Sequence, residues 1–124
     1  MSKDEAREEA FKALYTADLM AGSPDSSDLS ARGARLTNGV WEHRADIDLV
    51  IGRISQSWRV ERMPTVDRNV IRLGVFELIY TDEPVGVVVS QAVELAKRYS
   101  TAKSGAFVNG VLGRLIEELK TASG

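Results

Sequence analysis

Apolar residues recur at the spacing of an α-helix along nearly the whole 124-residue chain, and this periodicity most restricts the folds open to it. Near the C-terminus, Val108, Leu112, Leu115 and Leu119 fall on one helical face. The run 85–89, VGVVV, has the β-branched composition of a strand, but the residues beyond it keep helical spacing. The pattern therefore predicts an all-α bundle of six to seven short helices.

The predicted helices are separated by short segments rich in residues that end helices. They span residues 4–20, 29–43, 45–58, 66–80, 86–99 and 104–120. The clearest breaks are AGSPDSSD at 21–28 and Met63-Pro64-Thr65. We expect Thr65 to cap the helix that follows and Asp67 to lie in its first turn, where an acid is favoured.

Two glycines occupy equivalent places in a short repeated tripeptide. Asn38-Gly39-Val40 and Asn109-Gly110-Val111 both lie in the middle of predicted helices. Glycine inside a helix costs about 1 kcal/mol relative to alanine. We therefore expect neighbouring backbones to approach closely at both glycines.

The composition argues against several classes of protein. The chain has no cysteine and a single histidine, His43, and it carries neither a glycine-rich phosphate loop nor a nucleophile motif. It is predicted to be no enzyme and to bind no metal or cofactor. No apolar run approaches the roughly 20 residues of a membrane span, and the charged N-terminus does not resemble a signal peptide. These features favour a cytoplasmic protein without a membrane partner.

The charge distribution is more informative than the net charge of −2. Four cations and no acid lie between Glu94 and Glu117. Within this stretch Phe107 falls opposite the apolar face of the last predicted helix, beside Lys103. The cations form either a positive patch or a solvated face whose acids lie elsewhere by chance. Phe107 either stacks on a ligand or packs against another helix through the gap at Gly110.

Four segments carry a family resemblance. They are AREEAFKALYTADL at 6–19, VDRNVIRLGVFELIY at 66–80, PVGVVVSQAVELAKRYS at 84–100 and KSGAFVNGVLGRL at 103–115. In order and spacing they resemble the transcription antitermination factor NusB family. The resemblance implies one domain over residues 1–124, built of two perpendicular three-helix sub-bundles, 1–60 and 61–124.

The resemblance also implies a function without catalysis. Proteins of this family pair with NusE, a ribosomal protein of the small subunit, on boxA-type single-stranded RNA. The pair joins the RNA polymerase antitermination complex on ribosomal RNA operons. Positions matching the family's RNA face are Arg7, Tyr15, Arg98, Lys103 and Phe107. Positions matching its NusE interface are Asp67, Arg68 and Arg72.

The N-terminus departs from the family pattern and leaves alternatives open. Asp4 and Glu5 stand where the family usually has cations, and fewer cations on phosphates mean weaker RNA binding. One alternative is therefore a NusE-binding scaffold with little RNA affinity of its own. Another is a relative of the RNA-binding domain of ribosomal RNA cytosine methyltransferases, although the catalytic extension of those enzymes is missing. The sequence leaves the choice between a monomer and a homodimer open.

Overall fold

The computed structural model describes residues 2–56 and 58–123, which form six α-helices, one 3-10 helix and no strand. The elements are α1 (Lys3–Leu19), α2 (Ala31–Glu42), α3 (Arg44–Ile54), the 3-10 helix (Val60–Arg62), α4 (Thr65–Tyr80), α5 (Val85–Tyr99) and α6 (Ala102–Ser123). The all-α prediction is confirmed, and the VGVVV run lies in α5. None of the described helices is long and apolar enough to cross a membrane.

The third helix ends earlier than predicted. The expected helix over 45–58 stops at Ile54, and Ser57 lies outside the described residues. Gln56 has a φ of 59°, a left-handed conformation that cannot continue a right-handed helix. The Ser55 hydroxyl donates to the Trp58 carbonyl at 2.6 Å and fixes the turn that follows.

The start of α4 differs from the expected cap. Thr65 is the first helical residue, and Pro64 occupies the N-cap position without a side-chain hydrogen bond. The prediction that Thr65 caps the helix is therefore wrong. Asp67 lies in the first turn as expected. Because proline has no N–H, the reciprocal bond that an acid here often makes to the N-cap residue is not available.

Helix α4 lies at the centre of the molecule and packs against each of the other five α-helices. It is buried on several sides, as Val70, Ile71, Leu73 and Val75 show. All six α-helices contribute to one apolar core, so the two proposed halves share their interior. The boundary between residues 60 and 61 falls inside the 3-10 helix, and the division into sub-bundles stays a prediction.

The two tripeptide glycines have different surroundings. A Cβ on Gly39 would overlap the ring of Phe76, so the crowding there comes from a side chain and not from the backbone that was expected. A Cβ on Gly110 would meet nothing within 4 Å, and the same expectation is wrong at that position. Gly110 is exposed, so it forms no gap into which Phe107 packs.

This contrast predicts opposite effects of alanine at the two glycines. Gly110→Ala should raise the free energy of unfolding by up to about 1 kcal/mol through helix propensity. Gly39→Ala should lower it by about 1 kcal/mol, because overpacking against Phe76 outweighs the same gain. Urea denaturation followed by circular dichroism measures both. Equal stabilisation by the two substitutions would contradict the contact between Gly39 and Phe76.

Candidate nucleic-acid interface

Lys103 and Phe107 lie one turn apart in the first part of α6, so their side chains share a face. Lys103 is exposed, and none of the carboxylates in the described residues lies within 4.0 Å of its ammonium group. Phe107 is partly buried and packs against the edge of the core, so the expectation that it lies opposite the apolar face of this helix is wrong. Its ring is also in contact with Trp58, at 5.8 Å between centroids and 65° between planes. The aromatic ring and the cation are therefore neighbours on one surface.

Trp58 is a component of this surface that the sequence analysis missed. It follows α3, and its side chain is 50% exposed. The turn at Ser55 positions it, since the Trp58 N–H donates back to the Ser55 carbonyl at 3.3 Å. The sequence pattern places it at the end of the helix predicted over 45–58, and such a local pattern does not reveal a contact with a helix about fifty residues later.

A small cavity lies beside the two rings. Its volume is about 190 Å³. We call it the Trp58–Phe107 pocket, and it is lined by Trp58, Pro64, Asp67, Lys103, Ser104 and Phe107. Three separate parts of the chain form it, namely the segment after α3, the start of α4 and the start of α6.

Asp67 forms the acidic part of the pocket. The residue is only 4% exposed, and its Oδ1 atom has no hydrogen-bond partner in the described part of the chain. Burial raises the pKa of the Asp67 carboxyl above its ordinary value, and the neighbouring Ser104 hydroxyl offsets part of that rise. An unpaired buried carboxylate oxygen costs free energy. The pocket therefore contains an acceptor that the protein leaves unpaired.

Arg7 lies away from this surface. Its side chain is 4% exposed, with Nε at 2.8 Å from Glu77 and Nη1 at 2.8 Å from Asp4. A third carboxylate, that of Glu83, lies 3.4 Å from Nη2. Burial opposes the charge of Arg7, but the ion pair with Glu77 raises its pKa overall. Glu77 is ten residues beyond Asp67 on α4, a rise of about 15 Å. Arg7 is therefore committed to contacts inside the protein.

Tyr15 and Arg98 lie on a surface shared by α1 and α5. The Tyr15 ring is partly buried, with its centroid 5.8 Å from that of Phe11. Arg98 is exposed and donates to Glu8 at 2.8 Å. The Tyr99 hydroxyl donates to the same Glu8 oxygen at 2.5 Å. The described contacts thus place Lys103 and Phe107 together, and none of them joins Tyr15 or Arg98 to that pair.

Arg68 and Arg72 hold three helices together. Arg68 donates from Nε and Nη2 to both carboxylate oxygens of Asp18 on α1, at 2.5 and 2.8 Å. Arg72 makes the same kind of pair with Asp48 on α3, at 2.8 and 2.9 Å. Burial acts to raise the pKa of Asp18, but hydrogen bonds from Arg68 and Asn69 lower it overall. Asp67, the third predicted partner residue, is buried and makes no ion pair with either arginine.

Comparison with known proteins identifies relatives over almost the entire chain. The model of the NusB family matches residues 4–117. The transcription antitermination protein NusB of Symbiobacterium thermophilum is 39% identical, over all of this chain and 95% of the relative. The fold is similar to a chain in the crystal structure of a plectonemic RNA supercoil, with a TM-score of 0.88, 32% identity and 96% coverage of each chain. It is also similar to a chain in the crystal structure of the antitermination factors NusB and NusE in complex with dsRNA. That match has a TM-score of 0.81 and 30% identity, over 94% of this chain and 96% of the other.

Replacing Arg7 should affect folding much more than replacing Arg98. Arg7→Met leaves the buried Glu77 without its partner and should lower the free energy of unfolding by about 3 kcal/mol. Arg98→Met removes an exposed pair and should change it by less than about 1 kcal/mol. Urea denaturation of the two variants measures the difference. Similar losses would show that burial of the Arg7–Glu77 pair is not what stabilises α1 against α4.

The difference in stability between Asp67→Asn and the parent protein should depend on pH. Because the pKa of Asp67 is raised on folding, its ionisation at neutral pH opposes the folded state. The stability contributed by the protonated group is present below its ordinary pKa of 3.8 and is lost as pH rises through the raised value. Asp67→Asn should therefore melt higher than the parent at pH 7.5, by a margin that shrinks at pH 4.5. Thermal melts followed by circular dichroism test this, with the exposed Asp82→Asn as control. A lower melting temperature at pH 7.5 would contradict the cost of the buried charge.

Proposed function

The chain belongs to the NusB family, and we propose that it is an RNA-binding transcription antitermination factor that works with NusE. In this proposal it binds boxA-type single-stranded RNA beside NusE as part of the RNA polymerase antitermination complex. Its role is to promote transcription of ribosomal RNA operons, which places it in the cytoplasm. It acts by binding and performs no reaction. The solved complex of NusB and NusE with dsRNA, to which this fold is similar, supports both classes of partner.

The observation that carries the RNA proposal is the surface formed by Lys103, Phe107 and Trp58. Single-stranded RNA is held by cations on its phosphates and by aromatic rings that stack on its bases. Lys103 offers a positive charge that forms no ion pair with a carboxylate of the described residues. Trp58 offers an exposed ring edge-on to Phe107. In this proposal Tyr15 and Arg98 extend the RNA-binding face along α1 and α5. Arg7 is buried and contributes indirectly, because its ion pair with Glu77 positions α1.

The proposed NusE surface centres on Arg68 and Arg72. Both guanidinium groups are partly buried and held by bidentate pairs with Asp18 and Asp48. Guanidinium groups that ion pairs already fix in place lose little side-chain entropy when a partner protein binds. This favours a specific polar interface. Asp67 lines the Trp58–Phe107 pocket and makes no ion pair with either arginine, so its part in NusE binding would be limited to supporting the start of α4.

A NusE-binding scaffold with little RNA affinity is the second candidate, and one observation favours it. Arg7, the cation expected for RNA in the N-terminal segment, pairs with three carboxylates of the protein instead. A cation held in this way cannot bind a phosphate, so both the RNA affinity and its salt dependence are reduced. The two candidates share NusE and differ in whether this chain holds RNA.

Binding of RNA can be measured by fluorescence anisotropy of a labelled boxA-type RNA, with and without purified NusE, at two salt concentrations. We expect binding to tighten when NusE is present. Phe107→Leu keeps an apolar side chain but removes the ring, and it should weaken binding roughly tenfold. Lys103→Asp should weaken binding and reduce the salt slope by about one.

Lys120→Asp is the matched control, since it reverses a charge on the same helix far from Phe107. It should leave both the affinity and the salt slope unchanged. An unchanged slope in Lys103→Asp would remove Lys103 from the RNA face. No RNA binding in either condition, with NusE still retained in a pull-down, would favour the scaffold instead.

A further inference from the structure

We propose that the Trp58–Phe107 pocket holds one base of the bound RNA and that Asp67 selects guanine there. The proposal rests on the proposed RNA-binding function and adds to it a base-specific subsite. It also gives Asp67 a role different from the partner contact that the family resemblance implies. The pocket combines an unpaired acceptor, two aromatic walls and a cation at its rim.

The unpaired Oδ1 of Asp67 is the first argument. Buried polar atoms in folded proteins nearly always have a hydrogen-bond partner, so each exception needs an explanation. Here the local cause is Pro64, which has no N–H to donate to an acid in the first turn. Lys103 is exposed and makes no ion pair in the described part of the chain, so its side chain is free to move aside. The Oδ1 atom is itself buried, so in this proposal a ligand N–H reaches it when the Lys103 side chain, which lines the same pocket, moves.

The shape and walls of the pocket point to a nucleobase. Its volume of about 190 Å³ is below the range of about 300–1,000 Å³ that drug-sized ligands occupy. A flat ring inserted there would contact the ring of Trp58 or Phe107, and every base has a π-face for such contact. Lys103 at the rim can meet the phosphate attached to the same nucleotide.

The charge of Asp67 points to guanine among the bases. An ionised carboxylate only accepts hydrogen bonds. Guanine presents two adjacent donors, N1–H and the N2 amino group, to one carboxylate. Adenine and cytosine place an acceptor beside their amino group, and uracil flanks its single N–H with two carbonyl oxygens. In adenine, cytosine and uracil these acceptors would face the negative oxygen of Asp67. Those three bases should therefore bind less well than guanine.

A cationic side chain of a protein partner is the competing occupant, because it too would satisfy a buried carboxylate. Lys103 argues against this occupant, since its positive charge lies at the rim of the same pocket. The same charge favours a nucleotide, whose phosphate is negative. The observations therefore favour RNA, and the protein partner becomes an outcome of the test.

The test uses three labelled single-stranded RNAs and the full chain, with and without NusE. One oligouridine carries a single central guanosine, the second has inosine at that place, and the third has only uridine. Inosine keeps N1–H and lacks the N2 amino group. We expect guanosine RNA to bind about tenfold more tightly than inosine RNA. Asp67→Asn should remove most of that preference, because an amide offers one acceptor where the carboxylate offers two. Trp58→Leu should weaken binding of all three RNAs.

The outcomes separate this proposal from the proposed function. Equal affinity for the three RNAs, or a guanosine preference that survives Asp67→Asn, overturns the guanine subsite while RNA binding itself stands. Loss of NusE capture in Asp67→Asn, with RNA binding unchanged, shows that the pocket takes a protein side chain and also overturns it. No binding of boxA-type RNA or of these RNAs by the folded chain overturns both proposals. Circular dichroism of each variant confirms that it is folded.

Discussion

The burial of α4 among the other five α-helices governs how the remaining helices pack and pair. A helix in that position buries part of its polar content, and three polar residues of α4 are fully buried, Asp67, Asn69 and Glu77. Two of them are paired with α1, since Arg7 donates to Glu77 and the Asn69 amide donates to Asp18 at 2.8 Å. The third is the unpaired acceptor of the Trp58–Phe107 pocket.

These polar pairs also determine how the surface is divided. Arg7 meets Glu77 near the end of α4, and Asp18 meets Arg68 near its start, so α1 runs antiparallel to α4 with an ion pair towards each end. A cation used in this way is not available to RNA, and Arg7 is the example. Lys103, which makes no ion pair within the described residues, is available. The difference between the two lies in their burial and not in their charge.

Much of the fold could be predicted from the sequence, and part of the candidate site could too. Helical periodicity predicted six to seven helices, but it placed Phe107 opposite the apolar stripe, whereas the ring packs against the edge of the core. Phe107 and Lys103 were identified as neighbours because they are one turn apart on the same helix. Trp58 was not identified, because its contact with Phe107 joins segments about fifty residues apart. No local pattern in the sequence reports such a contact.

Features that depend on near neighbours along the chain, namely the helices, the apolar stripes and the family segments, can be read from the amino-acid sequence. The tertiary structure alone decided which of two equivalent glycines is crowded, because Gly39 meets Phe76 and Gly110 meets nothing. It also decided that Arg7 is buried. The physical reason is that burial and pairing depend on residues brought together by folding from distant parts of the chain. The same amino acid in the same helical setting can therefore be structural at one place and exposed at another.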